Sequence, residues 1–104
     1  MNPTRIEILK KYLPEDPHDP FPVYALALEY QATDPEKAQQ LFVQLLTIHP
    51  QYLPTYYMAG IFFADRNEVN RAAEILLKGL DLAKAQNNPS ARRELQAALD
   101  NLID

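Results

Sequence analysis

The chain has no cysteine and no tryptophan, only two glycines, and two histidines among 104 residues. Without cysteine there is no disulfide, no thiol nucleophile and no thiolate metal site. The scarcity of glycine rules out a phosphate-cradling loop, which needs several glycines in a short span. His18 and His49 do not fall at H-x-x-x-H or a similar ligand spacing. Surface positions are the expectation for both, with His49 placed to interact with the last carbonyls of a helix. The carboxylates Asp65 and Glu68, and Glu15 and Asp16, read as solvated turns rather than acid–base pairs. Metal, cofactor and catalytic residues are therefore expected to be none, and the protein is expected not to be an enzyme.

Two further shortages narrow the class. The formal charge is −4, mildly acidic, and Lys10-Lys11 and Arg92-Arg93 are the basic doublets. A general nucleic-acid binder carries a basic face, so no nucleic-acid partner is expected. The longest apolar run, Tyr56 to Ala64, falls short of the roughly 20 residues that span a bilayer. The N-terminus shows no basic start followed by an apolar stretch, so no signal peptide is visible. The expectation is a cytoplasmic protein with no membrane partner. Hydrophobic residues make up 47% of the chain, enough for one core, and the length predicts a single domain over 1–104.

Proline is plentiful, at nine residues, and it punctuates the chain. Proline is tolerated at the first helical position, where its missing N–H costs nothing. Asn or Asp before it can accept the free N–H groups of the first turn. Asn2-Pro3, Asp19-Pro20, Asp34-Pro35 and Asn88-Pro89 have that form. Leu53-Pro54 offers a start without the cap, and Asn67 before Glu68-Val69 a start without the proline. Pro14 and Pro50 fall where helices should stop. These marks predict helices at about 3–13, 20–32, 35–49, 54–66, 68–86 and 89–103.

Apolar spacing agrees. Ile6, Leu9 and Leu13 share a face of the first segment; Leu41, Leu45 and Ile48, with Phe42, line the third; Leu95, Ala98, Leu99 and Leu102 line the last. The second and fourth segments are apolar on more than one face, which predicts burial on two sides. A strand over Tyr56–Phe63 is disfavoured by Gly60, by the lack of alternation and by the want of a partner strand. The fold class is all-α.

An internal repeat is present. Val23, Leu26, Ala27 and Tyr30 overlay Tyr56, Ala59, Gly60 and Phe63 at an offset of 33. Ala38, Phe42, Leu45 and Pro50 overlay Ala72, Leu76, Gly79 and Lys84 at an offset of 34. One extra residue in the second inter-helix turn accounts for the change. Each unit is a helical hairpin of about 34 residues. Both glycines fall inside predicted helices, where each costs about 1 kcal/mol relative to alanine. They predict positions where a neighbour approaches the backbone closely. Tyr30/Phe63 and Phe42/Leu76 are expected to fill the space inside each hairpin.

On these residues the chain resembles the tetratricopeptide repeat family, over residues 20–86, about two-thirds of its length. The second unit departs from the family pattern at Lys84, where a proline would stand, and the first at Leu45, where a small residue would. The segments Asp19-Pro20-Phe21, Tyr24 to Tyr30, Pro50-Gln51-Tyr52 and Thr55-Tyr56-Tyr57 are also similar to short stand-alone bacterial proteins of this type. The resemblance implies an α-α superhelix: an N-terminal helix at 3–13, repeat 1 at 20–50, repeat 2 at 53–86 and a capping helix at 89–103. Caps are needed because stacked hairpins leave apolar faces at both ends.

The resemblance also implies a non-catalytic interaction scaffold that takes a partner's peptide or helix on its concave face. Phe21, Tyr24, Leu28 and Gln31 would line that face in the first unit, and Pro54, Tyr57, Ile61, Ala64 and Asp65 in the second. Family members that bind acidic chaperone tails use a clamp of lysine, asparagine and arginine. Here Tyr24, Leu28, Tyr57 and Ile61 stand at those positions, so that specificity is not inherited. Tyrosine beside aliphatic side chains suits an apolar helix or an extended peptide. Two other uses of the surface stay open. The first helix, whose Ile6, Ile8, Leu9, Tyr12 and Leu13 need burial, could lie across the groove; or the face or end helices could pair with a second copy in a homodimer.

Overall fold

The computed structural model describes residues 3–12 and 18–103. It contains six helices and, among the described residues, no strand: α1 (Pro3–Tyr12), α2 (Phe21–Tyr30), α3 (Pro35–Ile48), α4 (Pro54–Asp65), α5 (Val69–Ala85) and α6 (Pro89–Ile103). The chain's contacts divide it into two units, Met1–Tyr52 and Leu53–Asp104. Expectations placed on Asn2, Leu13, Pro14, Glu15 and Asp16, and on the side chains of Leu9 and Tyr12, lie outside what is described.

The proline punctuation acts through side-chain caps at two starts. The Lys37 N–H donates to Asp34 Oδ1 at 3.2 Å, and the Ala91 N–H to Asn88 Oδ1 at 3.0 Å. At α2 the cap position is Pro20, which has no side-chain acceptor; Asp19 before it accepts the Phe21 N–H at 3.0 Å, while the Pro20 carbonyl takes the Tyr24 N–H. The helix there begins at Phe21 rather than Pro20. At α4 the proline acts without a cap, since Leu53 supplies no side-chain acceptor.

Asn67 does the opposite of what its position before Glu68 suggested. It ends α4 in the left-handed region, with φ 65°. Its N–H donates to the Ala64 carbonyl and that of Glu68 to the Phe63 carbonyl, at 3.0 and 2.9 Å. This is a Schellman closure, which satisfies carbonyls that a helix end otherwise leaves open. Asn87 repeats it after α5 at φ 54°, with Asn88 donating to Ala83 and Asn87 to Lys84. Asparagine takes the role usually given to glycine, because its short polar side chain tolerates this backbone region. The extra residue of the second repeat accordingly lengthens α4, which closes over a shorter turn than the one joining α2 to α3.

In the first unit α1 packs on α2, and α2 on α3. The buried row of α3 is Ala38, Phe42 and Leu45. Leu41 is only half-buried and Ile48 is 59% exposed, because both lie to one side of that row at 100° per residue. In the second unit α5 packs on α4 and α6, and α6 also reaches α4. Buried Leu95 and Ala98, with half-buried Ala91, Leu99 and Leu102, give α6 a single apolar stripe.

The glycines are close-approach positions. A Cβ on Gly60 would stand 2.5 Å from Leu76 Cδ2, and one on Gly79 would stand 2.6 Å from Tyr56 Cβ and 3.0 Å from Leu95 Cδ2. Gly60 thus lets α5 seat Leu76 against the α4 backbone. Gly79 admits Tyr56 from one side and Leu95 from the other. Phe63 and Leu76, like Phe42 in the first unit, are fully buried. Thr55 is also fully buried, and its hydroxyl has no hydrogen-bond partner; nothing in the structure explains its retention.

Candidate functional site

The residues expected to meet a partner fall on one arc of each repeat's first helix. On α2, Pro22, Val23, Ala25, Leu26, Ala27 and Tyr30 are buried. What remains of α2 is Phe21, 53% exposed, and half-buried Tyr24, Leu28 and Glu29, with half-buried Gln31 just past its end. At 3.6 residues per turn Phe21, Tyr24, Leu28 and Gln31 occupy about a quarter of the circumference. On α4 the buried set is Thr55, Tyr56, Ala59, Gly60, Phe62 and Phe63. Exposed Pro54 and Asp65 and half-buried Tyr57, Ile61 and Ala64 form the corresponding arc. At 100° per residue the buried residues span about 200° on α2 and about 160° on α4, as expected of segments apolar on more than one face.

Helix α1 approaches α2 from another side. Arg5 forms an ion pair with Glu29, and Glu29 lies about a third of a turn from the middle of the Phe21/Tyr24/Leu28/Gln31 arc. Among the described side chains of α1, Ile6 is the buried apolar one and Ile8 is 48% exposed.

Tyr24 is held by a residue to which the sequence pattern assigned no role. Its ring meets Tyr52 edge-on, with centroids 5.6 Å apart and planes at 73°. Such pairs contribute about 0.5–1.5 kcal/mol beyond their buried area. Burial raises the phenol pKa of Tyr24 above its usual 10.0, and Tyr52 raises it further; burial and then Asp19 do the same for Tyr52. Both hydroxyls stay protonated at neutral pH and offer a donor as well as an acceptor. The available signal was the run Pro50-Gln51-Tyr52, whose proline turns the chain back after α3. Tyr52 also walls a surface hollow of about 360 Å³, together with Pro20, Ile48, His49, Pro50 and Gln51. Met58 was missed as well. It is half-buried and stands one helical turn from Pro54 and Ile61.

His49 closes α3 through its backbone, donating to the Leu45 carbonyl at 2.8 Å, and His18 lies in the turn before α2. Among the described residues no group of three or more His, Cys, Asp or Glu could hold a metal ion. No helix among them is long and apolar enough to cross a membrane.

Comparison with known proteins decides the family. A solution NMR structure of a tetratricopeptide repeat domain protein from Salinibacter ruber is 32% identical, with a TM-score of 0.77, covering 84% of this chain and 89% of that one. The chain belongs to the tetratricopeptide repeat family. A crystal structure of a tetratricopeptide repeat domain protein from the same organism agrees, at 29% identity and a TM-score of 0.76, covering 81% of this chain and 96% of that one. No family model matches the chain, and no curated protein matches it. The tetratricopeptide fold is generally a protein-interaction scaffold and typically non-catalytic.

Proposed function

We propose that this tetratricopeptide protein is a non-catalytic interaction module that takes a peptide or helix of a protein partner on the α2 and α4 arcs. The observation that carries the reading is the partial exposure of one matched stripe in each repeat. Tyr24 and Leu28 on α2 correspond to Tyr57 and Ile61 on α4, and all four are half-buried. A stripe needed only for packing would be buried like Val23 and Tyr56; one needed only for solubility would be polar. Tyrosine with an aliphatic neighbour one turn away suits an apolar surface that also carries hydrogen-bonding groups. Phe21, Gln31, Pro54, Ala64 and Asp65 extend the two arcs. The test is affinity capture from native lysate with Tyr57→Ala against the wild type, after helix content is shown equal by circular dichroism. Loss of a captured partner supports the reading; unchanged capture removes α4 from the binding face.

Self-association is a second reading. Phe21 and Ile48 are both more than half exposed; Ile48 lines the hollow with Pro20 and Tyr52, and Phe21 follows Pro20 in the chain. Large apolar side chains around a depression suit a homodimer contact. Size exclusion with light scattering separates the readings, since a monomer at high concentration removes the homodimer.

A further inference from the structure

We infer that the partner segment received by α4 carries a basic residue at one end of its apolar row. The inference rests on the binding reading above and concerns its charge specificity. The α4 arc is neutral from Pro54 to Ala64 and ends on Asp65, an exposed carboxylate with no ion pair among the described residues. The neighbouring cations are directed elsewhere. Arg66 lies over the Phe62 ring at 5.4 Å from its centroid. Arg71 lies over the Phe63 ring at 4.2 Å and pairs with Glu68 at 3.6 Å. The C-terminal end of a helix also carries the negative end of its dipole, which adds to the carboxylate rather than opposing it. On α2, Glu29 is already paired with Arg5, Asp19 accepts the Phe21 N–H at the start of the helix, and the arc ends on neutral Gln31. Asp65 is thus the charged group that the α4 arc itself offers a partner. The matching ligand places apolar side chains four residues apart against Tyr57 and Ile61, and a lysine or arginine beyond them at Asp65.

The test uses three synthetic helix-forming peptides with the same apolar i, i+4 row, ending in lysine, glutamine or glutamate. Binding to the intact chain is measured by fluorescence anisotropy at low and at physiological salt. A single exposed charge pair of this kind is worth about a two- to fivefold change in affinity, so the lysine peptide should bind tightest and the glutamate peptide weakest. The spread should narrow with salt, and Asp65→Lys should reverse the order. Equal affinities, an order unchanged in Asp65→Lys, or no binding by any peptide would overturn the inference. A Tyr57→Ala arm keeps the two claims apart. Peptides that bind without charge preference but are lost on Tyr57→Ala overturn the basic-partner inference alone. Binding that ignores Tyr57→Ala overturns the binding face too.

Discussion

The two repeats share a register and differ in how they fill it. In the second, Tyr56 packs onto Gly79; the matching positions of the first hold Val23 and Leu45, both buried. A large–small pair in one repeat is a small–large pair in the other. Interiors tolerate such trades when volume is kept. The partly exposed arcs behave differently. Tyr24 matches Tyr57, and Leu28 matches the equally aliphatic Ile61. The Tyr56/Gly79 pair is exchanged while Tyr24/Tyr57 and Leu28/Ile61 keep their chemistry, which is the division expected if the first hold the fold and the second meet a partner.

The largest effect should come from forcing one repeat's solution on the other. Gly79→Leu places a side chain where Tyr56 Cβ already stands, and should cost about 3 kcal/mol or more. Tyr56→Val in the same chain should recover a large part of that cost, as Val23 does for Leu45; the check is a urea-unfolding double-mutant cycle. The helix closures come next. Asn67→Ala and Asn87→Ala should each cost about 1 kcal/mol, because alanine resists the left-handed region, while Asn→Gly at either site should cost nothing. The thermal midpoints of these four variants decide the point.

A smaller contrast concerns the cations over the repeat aromatics. Arg71 over Phe63 at 4.2 Å and Lys37 over Tyr30 at 6.0 Å occupy matching positions. Arg71→Ala should therefore destabilise by up to about 1 kcal/mol, and Lys37→Ala by clearly less, in the same unfolding assay. The smallest effect is alkaline. Burial raises the pKa of Tyr24, Tyr52 and Tyr56 above 10.0 in the folded chain. Above pH 10 the unfolded chain releases these protons first. Stability is therefore complete below pH 10 and falls as pH rises through the folded values. Tyr24→Phe should lessen that fall, as read from urea midpoints at about pH 9 and about pH 11.

Much of the fold was legible because proline and its capping partners mark helix starts directly. Predicted and observed helices agree to within two residues, and the glycines sit where close approach was expected. Helix ends were less legible. Asn67 has a side chain that suits a start and a backbone tolerance that suits a stop, and only the Phe63 and Ala64 carbonyls decide between them. Ile48 was placed in the α3 lining because an i, i+3 step is compatible with two adjacent faces; the face that packs on α2 is set by Phe42 and Leu45. The candidate arcs followed from the repeat register. Tyr52 did not, since it lies outside both helices of the repeat and meets Tyr24 through the turn after α3.

The central claim is that the matched arcs bind while the exchanged interior pairs only support. Affinity capture with three chains tests it most directly: wild type, the interior exchange Tyr56→Val/Gly79→Leu, and the arc variant Tyr24→Ala/Tyr57→Ala. Each is first shown to be folded by circular dichroism. The account predicts that the interior exchange retains the wild-type partner and the arc variant loses it. Full retention by the folded arc variant would contradict the account.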